Sequence, residues 1–188
     1  MTGIDCVVPA AGRSARMGGF KPLLRFGGST IIDTVVGSAL TVCARVLLVT
    51  GHRAEEIERL FSGERRVIPV RNAGWESGMF SSIQCAVALA GADRFFVTPG
   101  DMPFIGPAVY QALLASAPAQ AIFPVFKGTR GHPVLFSESV REAVRKADPA
   151  TGRMKDIARG LDCREVDWPD DSILRDIDTK EQYETWVS

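Results

Sequence analysis

The sequence predicts a three-layer α/β fold, a mostly parallel sheet with helices on both faces, formed by residues 1–188 as a single domain. Three observations carry this. Short β-branched runs alternate with helical patterns over the first two thirds of the chain, the order that builds parallel strands through helical crossovers. A length of 188 residues supplies enough chain for one sizeable core, and no linker, repeat or low-complexity tract divides it. A hydrophobic content of 46% with 23% charged residues fits a soluble globular class rather than a disordered one.

Residues 4–8 form the first strand, followed by a loop rich in Gly and Arg. Ser29 or Thr30 caps a helix running to about Val42, with Ile31, Ile32, Val35 and Val36 on its apolar face. Residues 45–50 are a second strand. The helix at 54–61 opens with Glu55 and Glu56, acids that suit a helix N-terminus, and a third strand covers 67–70. Ser77 caps a helix from Gly78 to about Ala90, and residues 95–98 are a fourth strand. Pro107 starts a helix at its favoured first position. A fifth strand covers 121–125, and 134–136 adds a sixth after the turn at 128–131. Ser137 caps a helix to about Lys146. The remainder holds a short helix near Met154, a segment through Val166 and a last helix from Lys180.

Lys+Arg and Asp+Glu balance at 22 each, so bulk charge favours neither nucleic acid nor an anionic membrane as a partner. Cys6, Cys43, Cys85 and Cys163 are far apart without CxxC or CxxH spacing, which points to reduced thiols rather than a disulfide framework or zinc site. No apolar run is long enough to span a bilayer and no leader pattern opens the chain, so a soluble cytoplasmic protein is expected.

In parallel α/β sheets ligands bind beyond the carboxyl ends of the strands, and two segments place chemistry there. The first strand runs into Ala10-Ala11-Gly12-Arg13-Ser14-Ala15-Arg16-Met17-Gly18-Gly19-Phe20-Lys21. Small residues let backbone approach a ligand, successive N–H groups make a concave anion site, and Arg16 and Lys21 add a planar fork and a point charge for phosphate. The loop is neither a Walker A sequence nor a GxGxxG dinucleotide loop. After the fourth strand comes Pro99-Gly100-Asp101-Met102-Pro103, whose carboxylate suits Mg²⁺, an ion that takes one or two carboxylates and completes its shell with phosphate and water. An isolated Asp there would be read as a turn residue; beside the basic loop, the metal reading is favoured. A second acid comes from Asp176-Ile177-Asp178-Thr179, where capping by Thr179 is the structural alternative. The helix start at Gly78, Ser81 and Ser82 offers N–H donors and a favourable dipole. Gly131-His132-Pro133 opens a late strand, and His52 has only a structural reading.

The stretch from Pro9 to Leu24 resembles the signature loop of the MobA-like nucleotidyltransferases: small-Ala-Gly, Ser, Arg-Met-Gly, then Lys. The resemblance implies a Rossmann-like sheet of the nucleotide-diphospho-sugar transferase type. It implies that Ala10, Ala11, Gly12, Arg13 and Ser14 hold base and phosphates, that Arg16 contacts the outer phosphates and that Lys21 contacts the α-phosphate. Gly100-Asp101-Met102-Pro103 is similar to the family's metal motif, giving Asp101 to Mg²⁺, with Asp178 as first choice and Asp176 as second to complete the site. Gly78, Ser81 and Ser82 fall to the base and ribose. His132 falls to acceptor binding, without a role as general base. Ala10-Ala11-Gly12, where guanylyl-transferring relatives usually carry Ala-Gly-Gly, favours CTP over other triphosphates. The cytidylyl-transferring branch joins CMP to molybdopterin for a molybdenum hydroxylase client, with pyrophosphate released. Many such enzymes carry Gly-Asp-x-Gly-Ala-Arg after the late helix. This chain has Asp148-Pro149-Ala150-Thr151-Gly152-Arg153-Met154-Lys155 instead, which hands that acceptor role to Thr151 and Arg153. A sugar-phosphate or polyol-phosphate nucleotidyltransferase and a non-catalytic cofactor-delivery chaperone are the alternatives.

Overall fold

The computed structural model describes residues 3–14, 17 and 19–187, the last by its backbone alone. In chain order the elements are β1 (Asp5–Pro9), β2 (Arg25–Phe26), β3 (Ser29–Thr30), α1 (Ile31–Leu40), β4 (Arg45–Thr50), α2 (Ala54–Leu60) and β5 (Val67–Arg71). They continue with α3 (Met79–Val87), β6 (Arg94–Val97), α4 (Pro107–Ala115), β7 (Ala121–Phe126), β8 (Thr129–Arg130) and β9 (Val134–Ser137). The chain ends with α5 (Ser139–Lys146), α6 (Met154–Ala158), β10 (Cys163–Asp167) and α7 (Lys180–Val187).

The main sheet has the order β10-β7-β9-β6-β1-β4-β5, with β8 added to β7. From β1 the chain steps outward to β4 and β5, then returns to place β6 on the other side of β1. That reversal is the point where such sheets open a ligand crevice. Along this path β9 runs antiparallel to both β6 and β7. A reversed strand begins where its parallel neighbours end, so the Gly131-His132-Pro133 turn before β9 lies at the same rim as the loops leaving β1 and β6.

Both sheet faces are covered, and β1 shows how. Its side chains alternate by the pleat: Cys6 and Val8 join Ile32, Val35 and Val36 of α1 and Val109, Tyr110 and Leu113 of α4. Val7 joins the opposite cluster with Phe80, Ile83 and Val87 of α3 and Val140 and Val144 of α5. Each fully buried Val or Ile contributes roughly 1.5–3 kcal/mol, so the β-branched residues of α1 hold their helix through burial rather than propensity. Thr30 caps α1, its hydroxyl accepting from the Asp33 N–H at 3.2 Å.

Two helix starts differ from the sequence expectation. Gly78, at φ 103°, precedes α3, while Ser77 belongs to a short 3-10 turn over Trp75–Ser77. Ser137 stays in β9, paired with Arg94, and Glu138 precedes α5 instead. In both cases the preceding element keeps the serine for its own pairing or turn. A third cluster was not foreseen from the sequence. Met17, Ile31 and Ile177 are buried together, with Phe26, Phe104 and Trp186 packed against them. Tyr183 of α7 donates to the Arg25 carbonyl at 2.8 Å. This contact docks the last helix onto the β2–β3 hairpin and carries residues 176–178 to the rim of the sheet. No helix among the described residues is long and apolar enough to cross a membrane.

Candidate active site

A cavity of about 720 Å³ opens at the rim, over the β1–β6 switch point. Its walls are the loop after β1, the start of α3, the Pro99–Met102 loop after β6, the turn before β9, and residues 173–178.

Close backbone packing puts these loops within reach of one another. A Cβ on Gly100 would lie 2.9 Å from the Pro9 carbonyl oxygen and 3.1 Å from the Ala10 Cβ. Glycine there lets the loop carrying Asp101 lie against the end of β1, with the Gly100 N–H donating to the Pro9 carbonyl at 3.1 Å. The Ile177 N–H donates to the Asp101 carbonyl at 3.0 Å, stitching the late segment to the same loop. Ile177 is fully buried, and it anchors the chain between two acids, both of which line the cavity. Thr179 and Gln182 form a reciprocal capping box at α7. The Thr179 hydroxyl accepts from the Gln182 N–H at 3.2 Å, and Gln182 Oε1 accepts from the N–H groups of Asp178 and Thr179 at 2.8 and 2.9 Å.

The Asp178 carboxylate reaches into the cavity. Lys21 Nζ donates to Asp101 Oδ2 at 2.8 Å and to Asp178 Oδ1 at 2.9 Å. Residues 80 and 157 positions away in sequence therefore meet on one ammonium. Burial opposes the Lys21 charge, but attraction to Asp101, the hydrogen bonds to both carboxylates and attraction to Asp178 outweigh it, raising its pKa. Asp176 behaves in the opposite sense to an ordinary exposed acid. Burial and the like charges of Asp178 and Asp101 raise its pKa, against a smaller pull from Lys21. His132 is held toward the neutral form by burial, which prevails over the Asp101 charge and a hydrogen bond to the Val97 backbone. Its Nδ1 is buried without a hydrogen-bond partner.

At the other end, Ala10 and Ala11 are buried and Gly12 and Arg13 are exposed. The Ala10 N–H donates to the Val49 carbonyl and the His52 N–H to the Ala11 carbonyl, each at 2.9 Å, fixing the loop to the end of β4. Ser14 takes a left-handed φ of 57°. Arg13 lies over the Trp75 ring at 5.5 Å. His52 sits between Phe20 and Trp75 with ring centroids at 5.6 and 5.5 Å, so its part is to pack two cavity walls together. Arg16 lies outside the described residues.

Gly78 and Ser82 line the cavity and Ser81 does not. The buried Asn72 amide donates to the hydroxyls of Ser81 and Ser82 at 2.9 and 3.0 Å, and Ser81 also donates to the Gly78 carbonyl. Thr151 and Arg153 line an adjoining groove of about 480 Å³. Met79 borders both spaces. Sequence reasoning missed Asn72, Arg130 and Gln182. Only Gln182 left a local signal, three positions after Thr179.

Two carboxylates converging on a single cation form a hard-oxygen donor set. That is the number of acids Mg²⁺ takes when phosphate and water fill the remaining positions, so Asp101 and Asp178 fit such an ion. Among the described residues no cluster of three or more His, Cys, Asp or Glu side chains forms a ready-made metal cage. Any ion held here must therefore share its shell with other ligands.

Residues 6–166 match the MobA-like NTP transferase domain. The molybdenum cofactor cytidylyltransferase of Escherichia coli (strain K12) is 31% identical over 98% of this chain and 96% of its own length. A molybdenum cofactor guanylyltransferase of Xanthomonas euvesicatoria pv. vesicatoria (strain 85-10) is 32% identical over 85% of this chain and 80% of its own. Among solved structures, a nucleotidyl transferase from Methanothermobacter thermautotroptrophicus superposes with a TM-score of 0.83 at 25% identity, covering 100% of this chain and 97% of that one. The chain belongs to the MobA-like NTP transferase domain family, and it is a nucleotidyltransferase.

Proposed function

We propose that this nucleotidyltransferase joins CMP from CTP to molybdopterin in a Mg²⁺-dependent reaction that releases pyrophosphate, acting in the cytoplasm for a molybdenum hydroxylase client. The observation that carries the reading is the meeting of Asp101, Asp178 and Lys21 at the foot of a small-residue loop. It brings a cation and two acids to the rim that the small residues Ala10, Ala11 and Gly12 also line. Ala10-Ala11-Gly12 and the extent of the similarity to the E. coli cytidylyltransferase support CTP and molybdopterin.

The acceptor phosphate is already a nucleophile at neutral pH, so no residue need act as a strong base. The loop backbone at Ala10, Ala11 and Gly12 and the start of α3 at Gly78 and Ser82 position the nucleotide, with Arg13 and Ser14 beside them. Asn72 locks the Ser82 hydroxyl in place, and Ser81 buttresses it. Lys21, on its flexible stem, exchanges carboxylate oxygens for those of the α-phosphate, with Arg16 acting on the outer phosphates. Mg²⁺ held by Asp101 and Asp178 would neutralise charge on the phosphate oxygens and orient them. His132 stays neutral beside Asp101 and positions the acceptor, whose distal part reaches Thr151 and Arg153. In-line attack at the α-phosphorus then forms the new P–O bond as the bond to pyrophosphate breaks.

A pyrophosphate-release assay tests this, with reduced molybdopterin and CTP, GTP or UTP in turn and a panel of sugar and polyol phosphates as competing acceptors. CTP with molybdopterin is expected to turn over fastest. Preference for GTP would overturn the base choice, and turnover restricted to a sugar or polyol phosphate would overturn the acceptor. CTP binding with no pyrophosphate from any acceptor would favour a delivery chaperone.

A further inference from the structure

We infer that Arg130 is the clamp for the acceptor's phosphate and sets the requirement for a phosphate monoester; this rests on the acceptor-side reading above. Charge placement around the cavity leads to it. The described charged residues lining the space are Arg13, Lys21, Asp101, Arg130, Asp176 and Asp178. Lys21 is engaged by two of the acids, and Arg13 leans on Trp75 and Glu76 at the nucleotide loop. A dianionic acceptor brought toward Asp101, Asp176 and Asp178 meets three carboxylates. On that side Arg130 is the described cation that lines the cavity, two residues before His132.

Arg130 is also prepared for the task. Its Nε donates to Glu165 Oε1 at 2.7 Å, and its guanidinium lies over the Phe123 ring at 4.6 Å. Nε makes the Glu165 bond and the Cys163 thiol adds a weaker side-chain contact, so the two terminal nitrogens, with four N–H groups between them, keep donor capacity for a ligand in the planar fork that matches phosphate oxygens. The hydrogen bond to Glu165 and its charge raise the Arg130 pKa against burial, so the fork remains cationic. The backbone beneath it is fixed as well. The Gly131 N–H donates to the Pro124 carbonyl at 2.8 Å, and the His132 N–H donates to the Ile173 carbonyl at 3.0 Å. A Cβ on Gly131 would lie 2.4 Å from that Ile173 oxygen, so the chain beside Arg130 can pass only as glycine. A fork held from behind by an acid and an aromatic ring loses little freedom on binding.

The test uses full-length protein loaded with Mg²⁺ and the α,β-methylene analogue of CTP, titrated calorimetrically with phenyl phosphate. Wild type, Arg130→Gln and Arg130→Lys are compared, and affinity for the CTP analogue is measured in each. Arg130→Gln is expected to weaken phenyl phosphate by about tenfold or more, Arg130→Lys by less, with affinity for the analogue unchanged. Glu165→Gln, which loosens the fork, should fall between wild type and Arg130→Gln. Equal phenyl phosphate binding in wild type and Arg130→Gln, or none in wild type, overturns the inference. A lowered melting temperature with unchanged binding likewise reduces Arg130–Glu165 to an ion pair at the sheet edge. If phenyl phosphate binding depends on Arg130 while wild type transfers CMP to no phosphorylated acceptor, the clamp stands and the transfer reading fails.

Discussion

Lys21 holds a charge where burial disfavours one, because two carboxylates surround it. In the proposed mechanism, removing its ammonium does more than delete a phosphate contact. It leaves Asp101 and Asp178 facing each other without that cation, and it strips charge neutralisation from the developing transition state. Lys21→Ala is expected to lower kcat by about a hundredfold or more, with an unchanged far-UV circular dichroism spectrum; near-normal turnover would remove Lys21 from the mechanism. At this scale much was legible in the sequence. Asp101 stands just past the end of β6, and Lys21 opens a 3-10 turn at the end of the long loop after β1, the side of an α/β sheet where ligands bind. Between Asp176 and Asp178 the resemblance put Asp178 first; the residues alone do not show its contact with Lys21, which forms where the Ile177–Asp101 backbone bond and the capping box hold that segment at the rim. Asn72 and Arg130 were hidden for a related reason. Each acts through partners distant in sequence or through a strand pairing, and neither has a local pattern of its own.

Elements read correctly where one periodicity ruled. β4 is all but continuously buried, and its bounds are those expected from its β-branched run. Boundaries shifted where two elements compete for one residue, as at Ser77 and Ser137. The β2–β3 hairpin escaped because two-residue strands carry no periodicity. The reversed direction of β9 escaped because a single strand does not encode the sense of its neighbours. The outer strands are tied to their helices by side-chain bonds that titrate. Glu58 of α2 accepts from the Thr50 hydroxyl at 2.8 Å and from Arg71 of β5 at 2.8 and 2.7 Å. The Arg71 bonds, with help from Thr50, hold the Glu58 carboxyl below its usual value of 4.5, against desolvation. A depressed folded-state pKa makes this contribution complete above 4.5 and lost as pH falls through the folded value. Glu58→Gln should therefore cost about 1 kcal/mol near neutrality. Its melting curve should converge on that of wild type as pH falls below 4.5, and a gap constant across that range would contradict the assignment.

Across the whole molecule, the two rims of the sheet divide the labour. The rim at the strand ends gathers the loops and the charged residues that line the cavity, while the opposite rim is closed structurally. There Asp5, 1% exposed, takes a bidentate pair from Arg45 at 2.9 and 2.7 Å and the Gly91 N–H at 2.9 Å. Arg45 is half exposed while Asp5 is buried, and Asp5 keeps the Gly91 N–H when the guanidinium is removed, so Arg45→Ala should destabilise the fold by about 1–2 kcal/mol. Its effect on kcat should stay within about twofold, since the site lies at the far rim; a kcat loss matching that of Lys21→Ala would show that the rims are coupled. In the proposed mechanism Asp101 and Asp178, brought from distant parts of the chain, act together at the α-phosphate. Single-turnover pyrophosphate release from CTP and reduced molybdopterin, across a Mg²⁺ titration, tests it in Asp101→Asn, Asp178→Asn and Asp176→Asn. Asp101→Asn and Asp178→Asn should each lose about a hundredfold in rate and need more Mg²⁺, while Asp176→Asn keeps most of both. A wild-type rate and Mg²⁺ dependence in Asp178→Asn would contradict the account.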